Sequence, residues 1–168
     1  MRTVLRAVAS WRPLAILLAG VGAAVTIYLL LRLHGWTGMA WLIPSFGASC
    51  ALVFGVPDSP FSRPLSVIGG HLVSSAVGIA VLALLGAGPE AMALAVGCAI
   101  MAMLATGTMH PPAGGDPLII IATGASVGFL LSPILIGTAV ICALGYVYRA
   151  LRARQLAAPQ SPTTGKAM

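Results

Sequence analysis

Charge is what this sequence has least of. Only 7% of its 168 residues are Asp, Glu, Lys or Arg, against about 25% in an ordinary soluble domain. The acidic side chains reduce to Asp58, Glu90 and Asp116. So little charge cannot solvate a water-facing surface, and this excludes a soluble globular reading. Cysteine is also scarce: Cys50, Cys98 and Cys142 lie far apart inside apolar runs. With no CxxC pair and an odd count, neither a disulfide framework nor a thiolate metal site is indicated. Catalytic signatures are missing too. There is no GxSxG, no HExxH, no paired intramembrane aspartate motif and no phosphate-cradling glycine loop, so no enzyme is expected and no cofactor.

What is present is hydrocarbon. Hydrophobic residues make up 59% of the chain and the mean hydropathy is +1.03, which makes the bilayer much of its solvent. Four apolar segments, at about 13–33, 64–86, 90–108 and 127–148, approach the ~20 residues needed to cross a ~30 Å hydrocarbon core. The first outruns a signal-peptide core and lacks a small-residue cleavage site, so it reads as a span. Two shorter segments, about 40–56 and 111–124, carry Pro and Gly near their N-terminal ends and are either re-entrant helices or short spans. The expectation is an all-α membrane protein with four full transmembrane helices and two short broken ones. Six crossings satisfy the same pattern.

The net charge of +6 comes mostly from the two tails. Basic residues flanking spans are retained in the cytoplasm, so both termini are expected there, in a bacterial-type inner membrane, and nucleic acid is not the partner. Residues 1–12 form a cytoplasmic N-terminal segment, 13–149 the membrane domain, and 150–168 a basic, disordered tail. Trp11, Trp36, Trp41 and His34 suit the membrane interface.

The order long, broken, long occurs twice. A shift of 68 positions lays Pro44 on Pro112, Gly47 on Gly115, and Ile68-Gly69 on Ile136-Gly137. This suggests an internal repeat with halves at about 13–86 and 90–149. Interrupted segments at matching positions of two halves point to a substrate site. Glycines and alanines at four-residue spacing, among them Gly20/Ala24 and Gly124/Gly128, suggest close helix packing, and a small bundle of this kind is expected to form a homo-oligomer.

The broken segments hold the polar residues. Pro111 and Pro112 suit a helix start, and Gly114 and Gly115 expose backbone amides beyond them. Helix N-termini carry orphan donors and partial positive charge, and so attract anions. His110 adds a donor or a cation. Ser45, Gly47 and Ser49 follow Pro44 in the same way. His71, Ser74 and Ser75 share a narrow polar face on the 64–86 helix, and Thr106 and Thr108 precede His110. The expected substrate-binding set is therefore His110, Pro111, Pro112, Gly114, Gly115, Ser45, Gly47, Ser49 and His71, with Thr106, Thr108, Ser74 and Ser75 lining a path. Asp116 either caps the short helix or carries protons. The plain alternative is a tight membrane turn made by the Pro-Pro and Gly-Gly pairs, with His110 capping a neighbouring helix. No metal is expected, since the histidines lack close ligand spacing.

The stretch MHPPAGGDPL at 109–118, with SFGASCALVFGVPDSPFSRPLSVIGGHLVSSAVG at 45–78, resembles the HPP family of integral membrane proteins, named for His-Pro-Pro. The resemblance covers about 10–148. It implies a four-helix membrane fold and a transport role, with nitrite as the leading substrate because some plastid and cyanobacterial relatives are associated with it. Three readings follow: a transporter or channel for a small inorganic anion, a cation, metal-ion or proton-coupled pathway through His71, His110 and Asp116, or a structural or sensory membrane module.

Overall fold

The computed structural model describes residues 13–37 and 43–157, and among these every regular element is helical. Helix α1 is Pro13–Thr37, α2 Pro44–Gly55, α3 Pro64–Leu85, α4 Pro89–Ala105, α5 Asp116–Thr123 and α6 Ile136–Ala157. One 3-10 turn, Pro60–Ser62, joins α2 to α3, and another, Pro111–Gly115, leads into α5. Between α5 and α6, Val127–Leu130 is 3-10 and Leu131–Leu135 forms a π turn kinked at Ser132. The expectations for residues 1–12, Trp11, Trp41 and the end of the tail lie outside the described residues, as do the side chains of His34 and Trp36.

Proline sets the starts. Pro13, Pro44, Pro64 and Pro89 each open a helix, where the missing N–H costs nothing and φ is already helical. Glycine sets two of the ends: Gly107 (φ 67°) follows α4 and Gly124 (φ 64°) follows α5, in the left-handed conformation that turns a chain off its helix.

Three stretches are long and apolar enough to cross a membrane: Pro13–Leu33, Pro64–Leu85 and Val127–Arg154. The segment expected to cross at 90–108 is shorter than that. Its helix, Pro89–Ala105, has 17 residues, or about 25 Å at 1.5 Å per residue, because Thr106–His110 leaves the helix to carry the His-Pro-Pro turn. Helix α2, at 12 residues, spans about 18 Å. At the other end, α6 stays helical to Ala157, so the tail expected to be disordered from residue 150 begins as helix.

Side-chain pairings give the directions. Phe46, Val53 and Phe54 of α2 meet Gly137, Gly145 and Tyr148 of α6 in ascending order, so these helices run parallel. Asp116, Pro117 and Ile120 of α5 meet Ser75 and Gly78 of α3, and this pair is parallel too. The hairpin Gly86–Gly88 sets α4 against α3. Ser62, just before α3, bonds Leu52 and Val56 at the end of α2, so α2 and α3 are antiparallel.

Two apolar cores result. Leu30, Phe46, Val53, Phe54, Val67, Ile134, Ile141 and Tyr148 gather around α2. Val81, Ala91, Ala95 and Ile121 close the α3–α4–α5 side. Some glycines provide the close approaches. A Cβ on Gly22 would meet the Phe54 ring at 2.8 Å, and one on Gly145 would meet Val53 at 2.5 Å. Gly20, by contrast, has nothing within 4 Å, and Gly124 is a helix end rather than a packing contact. The four-residue pattern thus marked the right kind of residue on partly the wrong positions.

Candidate functional site

The His-Pro-Pro segment lies against α3 because α3 is bare there. A Cβ on Gly70 would sit 2.7 Å from both His110 Cβ and the Thr108 carbonyl oxygen, and one on Gly69 would reach Thr108 Cγ2 at 2.8 Å. Two turns on, a Cβ on Gly78 would meet Pro117 Cα at 2.9 Å. The Gly-Gly-His run of α3 therefore lets the segment press backbone to backbone and brings His110 and Asp116 onto the face that carries His71, Ser74 and Ser75.

Between these elements and α2 lies a buried polar chain. Asp116, His71, Ser49, His110, Ser74 and Ser75 all have no solvent exposure, and Ser45 has little. His71 Nδ1 is 2.6 Å from Asp116 Oδ2. The same carboxylate accepts from Ser75 at 3.1 Å and, on Oδ1, from Ser45 at 2.7 Å. His71 Nε2 is 2.8 Å from Ser49 Oγ, and His110 Nε2 reaches that hydroxyl from another side at 2.9 Å. His110 Nδ1 is 2.8 Å from the Phe61 carbonyl. The imidazole centroids are 5.1 Å apart, and Phe46 meets His71 edge-on.

Donor and acceptor bookkeeping constrains the protons. The Phe61 carbonyl can only accept, so His110 Nδ1 carries hydrogen. With Asp116 ionised, its oxygens only accept, and His71 Nδ1 then carries hydrogen as well. With both rings neutral, two Nε2 lone pairs would face the single Ser49 hydrogen, for which the Ser45 carbonyl, 2.9 Å from Ser49 Oγ, also competes. One ring nitrogen would then stay unsatisfied in a dry interior, at a cost of about 1–3 kcal/mol. One added proton removes that deficit. With that proton on the His71–Asp116 pair, His71 Nε2 donates to Ser49 and Ser49 donates to His110. The extra charge also neutralises the buried carboxylate, as buried charges require.

The other sequence-predicted residues lie around this chain. Ser74 donates to the Ala113 carbonyl at 2.7 Å and so clamps the turn to α3. Thr108 is buried, while Thr106 is exposed and bonds both Thr108 and the Ala102 carbonyl. Pro44, Ser45, Pro112 and Gly115, with Leu118, Ile119 and Ala122, line an open groove of about 390 Å³. Gly47 borders a second with Ile27 and Ile43, and Pro111 a third with Ala48 and Ala51. Pro111 and Gly115 are exposed and Gly114 is half-buried. Amides beside them are bonded: Ala113 N–H donates to the His110 carbonyl, Phe46 N–H to the Ile43 carbonyl and Asp116 N–H to the Ala113 carbonyl. Sequence reasoning did not single out Phe61, whose contribution is a backbone carbonyl and leaves no residue signature. Gly70 and Gly78 were visible as small residues, without the contacts that give them meaning.

Among the described residues no group of three or more His, Cys, Asp or Glu side chains is arranged to hold a metal ion. Ser49, His71 and Asp116 follow the bond order of a hydrolytic triad. Ser49, however, sits in mid-helix and is fully buried, and its hydroxyl is shared by a second histidine.

Comparison with known proteins adds the family. Two proteins of Dictyostelium discoideum, each described as a transmembrane protein, are 39% identical over 87 residues and 38% identical over 85 residues. These matches cover 49% and 48% of this chain but only 30% and 27% of the relatives, so the chain spans less than a third of their length. No solved structure matches. Residues 8–157 match the family described as HPP, transmembrane region, a stretch that contains the whole buried polar chain, and the protein therefore belongs to the HPP family of membrane proteins.

Proposed function

We propose that this protein is a proton-coupled membrane transporter in which Asp116, His71, Ser49 and His110 form the proton relay. The observation that carries this reading is the Ser49 hydroxyl held within 2.9 Å of two imidazole Nε2 atoms, each ring having its Nδ1 already committed. In the relay, His71 Nε2 gives its proton to Ser49 Oγ while Ser49 gives its own to His110 Nε2. The O–H and N–H bonds exchange, the positive charge moves from His71 to His110, and the hydroxyl ends reversed. Intramembrane ionisable groups commonly serve this purpose.

The transported solute in this reading is a small inorganic anion, with nitrite the leading member, moving by the groove where Pro44 and Pro112 lie side by side. Support comes from the two proline-led helix starts meeting at one place. The ionised Asp116 argues against an anion inside the buried chain itself, so solute and proton take separate but adjacent paths. The directions of the helices support an inverted repeat of three segments each, α1–α3 and α4–α6, in which each half's last helix packs on the other half's short one. The arginine-bearing end of α6 then faces the cytoplasm. The exposed faces of α2 and the His-Pro-Pro turn need protein or a water-filled cavity at bilayer depth, and a second copy of the chain supplies the cover.

Reconstitution in liposomes with an internal pH dye tests this. Wild type should move protons down a pH gradient, faster with nitrite present than with chloride alone. Ser49→Ala should lower proton flux at least tenfold and Ser49→Thr should restore much of it. Equal flux in wild type and Ser49→Ala removes the relay. Proton flux indifferent to every anion removes the coupling.

A further inference from the structure

The relay has one end that leads nowhere in this conformation. His110 Nδ1 donates to the Phe61 carbonyl, and a peptide carbonyl accepts a hydrogen bond but does not pass a proton on. Water must reach Nδ1 for charge to leave, and what stands in the way is the Pro60–Ser62 turn.

That turn is gripped from three sides through consecutive carbonyls. Pro60 O accepts from Ser66 Oγ of α3 at 3.1 Å, Phe61 O from His110, and Ser62 O from Arg149 Nη2 of α6 at 2.8 Å. The Ser62 side chain donates to Leu52 and Val56 at the end of α2. One helical turn beyond Arg149, Arg152 holds Asp58 at 2.7 Å. Beside the turn, Val53, Ser62, Pro64, Cys142, Gly145, Tyr146 and Arg149 enclose a cavity of about 30 Å³, room for about one water.

We infer that Arg149 is a positioning residue which holds the Pro60–Ser62 turn closed over His110 Nδ1, so that release of this grip admits water to the relay from the arginine-bearing face. The inference takes its purpose from the proton-relay reading, but its geometry stands apart from it. Arg149 fits the task better than Arg152. Its contact is part-buried and made to a backbone carbonyl adjacent to the one His110 uses. Asp58, the partner of Arg152, is 82% exposed at its side chain, and exposed ion pairs contribute little.

The test reads access to His110 rather than transport. Full-length protein in liposomes is treated with diethylpyrocarbonate and the modification rates of His110 and His71 are followed separately by peptide mass spectrometry. Arg149→Met should raise the His110 rate at least fivefold while His71 rises less than twofold. Arg149→Lys, which keeps a donor, should restore protection. Unaltered His110 reactivity in Arg149→Met overturns the proposal. Parallel rises at both histidines also overturn it, since they signal loosening of the whole fold. Proton flux measured on the same vesicles separates the two readings. Selective exposure of His110 without flux in any variant keeps the gate and removes the relay, and flux blocked by Ser49→Ala with His110 indifferent to Arg149 does the reverse.

Discussion

Gly70→Ala changes the buried chain without touching any of its polar groups. The added methyl would lie 2.7 Å from His110 Cβ and 2.7 Å from the Thr108 carbonyl oxygen. Ordinary contact begins near 3.4 Å, so something must give by roughly 0.7 Å or more. Neither neighbour is the free end of a flexible side chain. One is a backbone atom and the other the root of a ring held at both nitrogens. The 108–110 backbone has to back away from α3 and draw His110 from Ser49, stretching a 2.9 Å contact past useful hydrogen-bond length. Overpacking of this kind costs about 1–3 kcal/mol, and a lost buried hydrogen bond adds about 1 kcal/mol. The expected outcome is a variant less stable by about 2–4 kcal/mol, with proton flux at background. Thermal unfolding in detergent and flux in liposomes provide the two readouts. Gly97→Ala is the control, since nothing lies within 4 Å of that mid-helix position; it should leave flux unchanged and raise stability by about 0.5–1 kcal/mol, as alanine does in a helix interior. Wild-type stability and flux in Gly70→Ala would refute the packing argument outright.

Two further substitutions probe other parts of the same structure. Asp116→Asn leaves the buried donors of His71, Ser45 and Ser75 facing an amide that cannot accept from all three; a buried group left unmatched costs about 1–3 kcal/mol, so its unfolding midpoint should fall below that of wild type. Phe46→Ala removes a ring with no solvent exposure that packs on His71 and covers Gly137, and should cost about 3–5 kcal/mol, read by denaturant unfolding; a loss under 1 kcal/mol would mean that α2 packs less tightly than described.

Some of this could be read before any fold was known. Composition required a bilayer, and hydropathy gave α1, α3 and α6, because crossing hydrocarbon demands long apolar runs whatever their neighbours. Proline marked the helix starts, since its constraint is local. Ser49, His71, His110 and Asp116 stood out because polar groups in apolar surroundings always need an account. The length of α4 was harder: uncharged residues continue from Ala105 through Met109, and only the turn-forming Gly107 and the demand of the His-Pro-Pro segment for contact with α3 end the helix there.

Tertiary structure alone decided what those polar residues do to one another. Residues 45, 49, 71, 110 and 116 meet because glycines on α3 let a turn approach it closely, and such an approach depends on two surfaces at once. Phe61 joins through its carbonyl, which every residue type carries, so no sequence pattern could single it out. A sequence reading sees an anion-attracting helix start at His-Pro-Pro; in the fold the Ala113 amide there is bonded, and one serine hydroxyl stands between two histidines. Chemistry of residue types was legible along the chain, whereas their pairing, and with it the number of protons the site must hold, required three dimensions.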